Sequence, residues 1–217
     1  MTDRPAIDLN VEVATAATLD TADAGALIDE LLALYATAQE AAAGTDNDPL
    51  WVIGVHPSRA MLADALAEGG LVVAREGGSG GRLAGALILN GECAPGYEAV
   101  PWGVEADADE VAVVHLLAVR PDLRGRGLMR ALMEVAADLA RSRGCRVIRL
   151  DTLVGNVGAQ RAYERLGLAC RGAHRLAYGA NYDNPAEPNF VLYEWELQGE
   201  GRPLPASLPP RSAGKSK

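Results

Sequence analysis

Arg124-Gly125-Arg126-Gly127, followed by Leu128, Leu132, Val135, Ala136 and Leu139, is the stretch of this chain with the clearest chemical potential. The apolar residues recur at three- and four-residue spacing, which defines one buried helix face and puts the glycines at a helix entrance. The first helical turn presents N–H groups without intrahelical partners and carries the positive end of the macrodipole, so anions bind there. Glycine lets a phosphate approach the backbone with no Cβ in the way, while Arg124, Arg126 and Arg130 add charge-assisted hydrogen bonds. Residues 120–149 hold eight arginines against Asp122, Glu134 and Asp138, a local excess of +5 in a chain of net charge −9. A phosphorylated ligand fits such a turn; a solvated loop is the plain alternative, because short glycine motifs are weak signals.

Spacing narrows the ligand. A nucleotide P-loop needs Lys-Ser or Lys-Thr after its second glycine, where Leu128-Met129 stands, and a dinucleotide fingerprint needs a third glycine near Met129 or Arg130. Neither pattern fits. The element ahead of the turn is the apolar run Val111 to Val119, read as a strand that ends before Pro121, whose ring cannot donate to a ladder. Beyond the helix, a second strand and a second helix carry Asn156, Ala159, Tyr163, Glu164, Leu166 and Gly167.

With both halves in view, the chain resembles the GNAT superfamily of acyl-CoA-dependent N-acetyltransferases, over about residues 50 to 197 and most specifically from Val119 to Leu168. The family signature Arg/Gln-x-x-Gly-x-Gly/Ala is matched by Arg124 and Gly127, with Met129 departing at the last position. A backbone N–H does the binding there, so the methionine side chain must point away from the pyrophosphate. The Asn-x-x-Ala-x-x-x-Tyr-Glu-x-Leu-Gly helix is matched in order from Asn156 to Gly167. The resemblance implies a mixed, mostly antiparallel α/β (α+β) sheet of about seven strands, with helices on both faces and the central strands splayed. It implies acetyl-CoA as cosubstrate, held by Leu117, Ala118 and Val119, by Arg124, Gly125, Arg126, Gly127, Leu128 and Met129, and by Asn156 and Tyr163. No metal is implied.

Amide formation requires an amine in its free-base form, a stabilised carbonyl oxygen and a protonated leaving thiolate. By resemblance, Tyr163 is the acid for the sulfur, and the backbone at Leu117 and Val119 serves pantetheine and the carbonyl. The plain alternative for Tyr163 is a core aromatic on an amphipathic helix. His115 is the expected catalytic base, a neutral imidazole near pH 7, with Glu110 and bulk water as rivals and a satisfied core histidine as the structural reading.

The rest of the composition bounds the class. At 217 residues the chain is read as one domain, residues 1–198, with a Pro-, Ser-, Gly- and basic-rich tail at 199–217 expected to be disordered. An apolar content of 49% is ordinary, but aromatics at 5% are scarce, so small side chains must do much of the packing. The acidic balance argues against nucleic-acid binding and suits a cationic acceptor. Cys93, Cys145 and Cys170 lack CxxC spacing, which suggests neither zinc nor disulfides. With no membrane-length apolar run and no signal peptide at Met1 to Asn10, a reducing cytoplasm is the expected compartment.

In chain order, Ile7 to Val13 alternates as a first strand, and about 22 to 42 reads as a helix capped by Asp20 or Thr21 and stopped by Gly44. Pro57 is read in the first turn of a short helix ending at Gly69-Gly70. Trp51 and His56 precede it; packing and capping are the preferred readings, and both stay outside the catalytic set. Leu71 to Arg75 and Arg82 to Leu89 form a hairpin. The segment Gly91 to Asp109 is irregular, with Tyr97 and Trp102 either shaping an acceptor site or covering the core. Ala169 to Tyr178 and Phe190 to Leu197 are read as the last strands, joined by Gly179 to Asn189. Two functions follow: transfer of an acetyl or short acyl group from acetyl-CoA to a small primary-amine acceptor, or non-catalytic acyl-CoA binding on the same fold. A homodimer is left open.

Overall fold

Seven strands form one sheet: β1 (Leu9–Ala14), β2 (Leu71–Glu76), β3 (Arg82–Asn90), β4 (Val111–Val119), β5 (Val147–Leu153), β6 (Ala169–His174) and β7 (Phe190–Glu196). Their order is β1-β2-β3-β4-β5-β7-β6, and only β4 and β5 pair in parallel. This computed structural model describes residues 8–78, 80–178 and 188–197. The tail at 199–217, Ile7 of the first strand and most of the 179–189 connection lie outside the described residues.

Helices α1 (Thr21–Ala42) and α2 (Arg59–Ala67) cover one face of the sheet, and α3 (Leu128–Ser142) and α4 (Val157–Leu166) the other. Of the α3 stripe expected from spacing, Leu128, Leu132 and Ala136 are nearly inaccessible against Leu87, Leu89, Val114 and Ile148, Val135 and Leu139 are half-buried, and Met133, outside the expected set, is buried with them. In β1, Leu9, Val11 and Val13 pack toward that face, as their alternation requires. Asp20 caps α1 by accepting from the Asp23 amide at 2.8 Å. Ser58 caps α2 by accepting from the Met61 amide at 3.2 Å, so Pro57 stands before the cap rather than in the first turn.

Two irregularities in β4 create the site. Against β3, Ile88 pairs with His115 and Ala86 with Ala118, so β4 carries an extra residue, and Leu116 takes a left-handed backbone with φ 51°. The slip changes which face each side chain meets. Ala112 and Val114 face α3 before it, and Leu117 and Val119 face α3 after it. Against β5, the ladder stops at Val113↔Arg149. Beyond that pair the two parallel strands splay apart and leave one edge of β4 without a ladder partner, as the resemblance implied.

The 91–110 segment covers the remaining face of β5 and β7 and is anchored by a buried ion network. Glu194 accepts from the Gly103 and Val104 amides at 2.9 and 3.2 Å and from Arg171 at 2.9 Å. Arg149 reaches Glu194 at 3.3 Å, donates to the Val104 carbonyl at 2.9 Å and lies 4.2 Å from the Trp102 ring centre. Strand β6 stops at His174, short of the expected Tyr178. There Asn189 takes over, bonding the Leu176 amide and carbonyl at 2.9 Å each and fixing the chain that carries Tyr178.

Candidate active site

The splay opens a cavity of about 810 Å³ between β4, β5, the start of α3, α4 and the loop around Asn47 to His56. Its α3 end is built from backbone. Gly127 has φ 84° and opens the helix with no side chain capping it, and a Cβ at Gly125 or Gly127 would meet nothing within 4 Å. The amides of Gly125 through Met129 have no hydrogen-bond partner among the described residues. Unpaired amides at a helix start suit an anion, and Arg124 and Arg130 line the same end. Arg126 does not line the cavity; its Nε is shielded and has no partner.

The start of α4 is different, because its amides are already used. Asn156 Oδ1 accepts from the Ala159 amide at 3.2 Å, and Gly158 donates to the Asp46 carbonyl at 2.8 Å. A Cβ at Gly158 would run into the Asn47 side chain, so glycine is what lets this loop seat on the helix and wall the cavity. Asn156 and Tyr163 both line the cavity. The Tyr163 ring packs edge-on at 5.4 Å from Tyr193, and burial raises its phenol well above the usual tyrosine range. It therefore stays protonated and able to donate.

The expected residues Leu117, Ala118, Val119, Arg124, Gly125, Gly127, Leu128, Met129, Asn156 and Tyr163 converge on this one cavity. His115 reaches it as well. Its Nε2 lies 3.0 Å from Asn90 Oδ1, which only accepts, so Nε2 carries the ring proton. Burial lowers its pKa to about 4. The imidazole is neutral, as expected, but its conjugate acid is too strong for it to hold a proton taken from an ammonium. Of the rivals, Glu110 is tied to the Asp107 amide and to Arg146 at 2.9 Å and does not line the cavity.

The group that sequence reasoning missed is Asp151. Its Oδ2 accepts from the Tyr97 hydroxyl at 2.6 Å and the Tyr178 hydroxyl at 2.7 Å, and it lines the cavity beside Thr152 and Leu153. Burial raises its pKa, and the two phenols oppose the rise by hydrogen bonding to the charged form. Tyr97 thus reaches the site, while Trp102 packs on Arg149. Trp51 and His56, set aside from sequence, line the cavity too, and Ser58 is the cap instead of His56.

A family model described as the acetyltransferase (GNAT) family matches residues 31–168, which include both the Arg124–Met129 turn and the Asn156–Leu168 helix. The chain belongs to that family. An uncharacterised N-acetyltransferase of Methanocaldococcus jannaschii is 42% identical over 66 residues, which are 30% of this chain and 29% of that protein. N-alpha-acetyltransferase 30 of Schizosaccharomyces pombe is 35% identical over 80 residues, 37% of this chain and 51% of its own length. The chain therefore spans about half or less of the curated relatives it matches. The fold is shared with a protein of Salmonella typhimurium described as an acetyltransferase and solved with its cofactor acetyl-CoA. That structure matches with TM-score 0.54 and 16% identity, over 90% of this chain and 97% of that one.

Proposed function

We propose that the protein transfers an acetyl group from acetyl-CoA to a primary amine by direct attack in a ternary complex. One observation carries the reading: a single cavity runs from the unpaired amides of Gly125 to Met129, past the open edge of β4, to Tyr163 and Asp151. The residues fit the cosubstrate. Five free amides with Arg124 and Arg130 suit its diphosphate, and the β5-facing edge of β4 at Leu117 to Val119, left open by the splay, suits its amide-bearing arm. Acetyl-CoA bound in the Salmonella relative supports the same ligand. When bound, it supplies an activated thioester carbonyl carbon for attack.

Asp151 takes the base role expected of His115. It receives the ammonium as an ion pair, and its raised pKa makes it a better proton acceptor than an ordinary carboxylate. The free amine nitrogen then forms the C–N bond while the C–S bond breaks. Tyr163 donates its hydroxyl hydrogen to the departing sulfur and is restored by the second proton, which the nitrogen sheds as the amide forms, while Asp151 holds the first proton, taken from the ammonium, and releases it to water as the products leave. Tyr97 and Tyr178 hold the carboxylate in place.

The test is free-thiol release from acetyl-CoA over a matrix of amine and acetyl-CoA concentrations. Intersecting double-reciprocal lines are expected. Parallel lines contradict direct attack, and acetyl-CoA binding without amine-dependent release supports the non-catalytic reading instead.

A further inference from the structure

Resting on the transfer reading above, we infer that the acceptor carries a single ammonium group on an apolar body with no carboxylate beside it. A hydrophobic monoamine and the N-terminus of a chain beginning with an apolar residue share that chemistry. Polyamines, aminoglycoside-like polycations and free amino acids do not.

The charges of the cavity carry the argument. Among the described residues lining it, Asp151 is the only acidic one. The three lining guanidinium groups belong to Arg124 before α3, Arg130 on α3 and Arg165 on α4, and none stands on β4 or β5 around Asp151. One carboxylate can neutralise one ammonium. A second ammonium brought into the same space would be stripped of water with no second carboxylate among the described lining residues to pair it, and a free amino acid would bring its own carboxylate against Asp151.

The apolar side is equally specific. Pro49, Trp51, Val55 and Phe190 line the cavity with Asp151 and Tyr178. Val55 is 63% exposed although it lines the cavity, and Leu50 and Val52 beside it are 50% and 48% exposed. Trp51 is held in place by its edge-on contact with Tyr35 at 5.2 Å. This uncovered apolar surface at the mouth is what an acceptor's hydrocarbon or aromatic group would cover once its ammonium meets Asp151.

The full-length protein, saturated with acetyl-CoA, is assayed for thiol release with 2-phenylethylamine, leucinamide, a hexapeptide amide beginning with leucine, leucine and spermidine. We expect kcat/KM for 2-phenylethylamine and leucinamide to exceed that for leucine and spermidine by at least about 100-fold. Comparable or higher kcat/KM for spermidine or leucine overturns this inference and leaves acetyl transfer standing. Silence with every amine overturns acetyl transfer itself and this inference with it. A peptide faster than leucinamide assigns a chain terminus as the source and the reverse order a free amine; both support the single-ammonium chemistry. Val55→Asp is expected to raise KM for 2-phenylethylamine about tenfold by removing apolar contact. An unchanged KM overturns the apolar-body contact.

Discussion

His115 on β4 and Asp151 on β5 stand at the same level of the splayed pair, each two positions beyond the last paired residues, Val113 and Arg149. Parallel strands in register present such residues to one face, and both side chains reach the cavity. Their surroundings separate them. His115 is neutral and bonded to Asn90, whereas Asp151 is held by two phenols at the point where an amine would arrive.

Replacing Asp151 with Asn removes the base and keeps an oxygen for Tyr97 and Tyr178 to bond. Turnover is expected to fall at least about 100-fold, the usual contribution of a positioned base. Melting temperature is expected to hold or rise, because a desolvated carboxylate is gone; a gain of about 0.5–2 kcal/mol is typical of such relief. Full turnover in this variant, at saturating amine, removes Asp151 from the reaction.

The pH dependence follows with a definite sign. Asp151 has a folded pKa raised above its unfolded value, so its contribution to stability is complete below the ordinary Asp range near ~3.9 and is lost as pH rises through the folded pKa. Catalysis runs the other way, since the carboxylate must be ionised to accept a proton. The acidic limb of kcat/KM is therefore expected above the ordinary Asp range, to disappear in Asp151→Asn and to persist in His115→Ala. A limb that moves with His115 alone restores the histidine as base.

Tyr163→Phe keeps the ring against Tyr193 and deletes only the hydroxyl. Acetyl-CoA affinity by calorimetry is expected to be unchanged while kcat drops about 100-fold. Equal kcat with chemistry rate-limiting would leave the sulfur to another donor.

Arg124→Ala tests the α3 end of the cavity, where charge-assisted hydrogen bonds add to the backbone amides. Acetyl-CoA is expected to bind about tenfold more weakly, with a shallower salt dependence, and the melting temperature of the free protein to stay the same. Undiminished affinity would separate the diphosphate from this turn.

Glu194→Ala leaves the buried Arg149 and the half-buried Arg171 without their shared carboxylate; losing one partner of a buried pair typically costs about 3–5 kcal/mol. A lower melting temperature is expected, together with reduced turnover, because the loop that brings Tyr97 to Asp151 is anchored there. Unaltered stability would show that the loop is held elsewhere.

The parts of this site that depend on local pattern are legible in the sequence alone. Leu128, Leu132 and Ala136 announce α3 through their spacing, the glycines mark its open start, and the run to Val119 gives β4 with its true bounds. Asn156 and Tyr163 belong to the ordered run from Asn156 through Ala159, Glu164 and Leu166 to Gly167 that caps, forms and ends α4. What pattern could not reach is whatever long-range contact creates. Asp151 is an unremarkable acid in the strand Val147–Leu153 until Tyr97, 54 positions away, and Tyr178, 27 positions away, close on it. A single carboxylate among Val147, Ile148, Leu150 and Leu153 in a largely buried strand was the one available signal. His115 likewise looks poised to titrate near neutrality until burial in the enclosing core depresses it.

The most direct measurement is mass spectrometry of an apolar primary amine after incubation with acetyl-CoA and the full-length protein. A gain of one acetyl group on the amine, absent with Asp151→Asn and with protein omitted, is the predicted result. An amine unchanged in mass while acetyl-CoA is bound, or acetylated equally by the variant, would contradict a transfer site between β4 and β5.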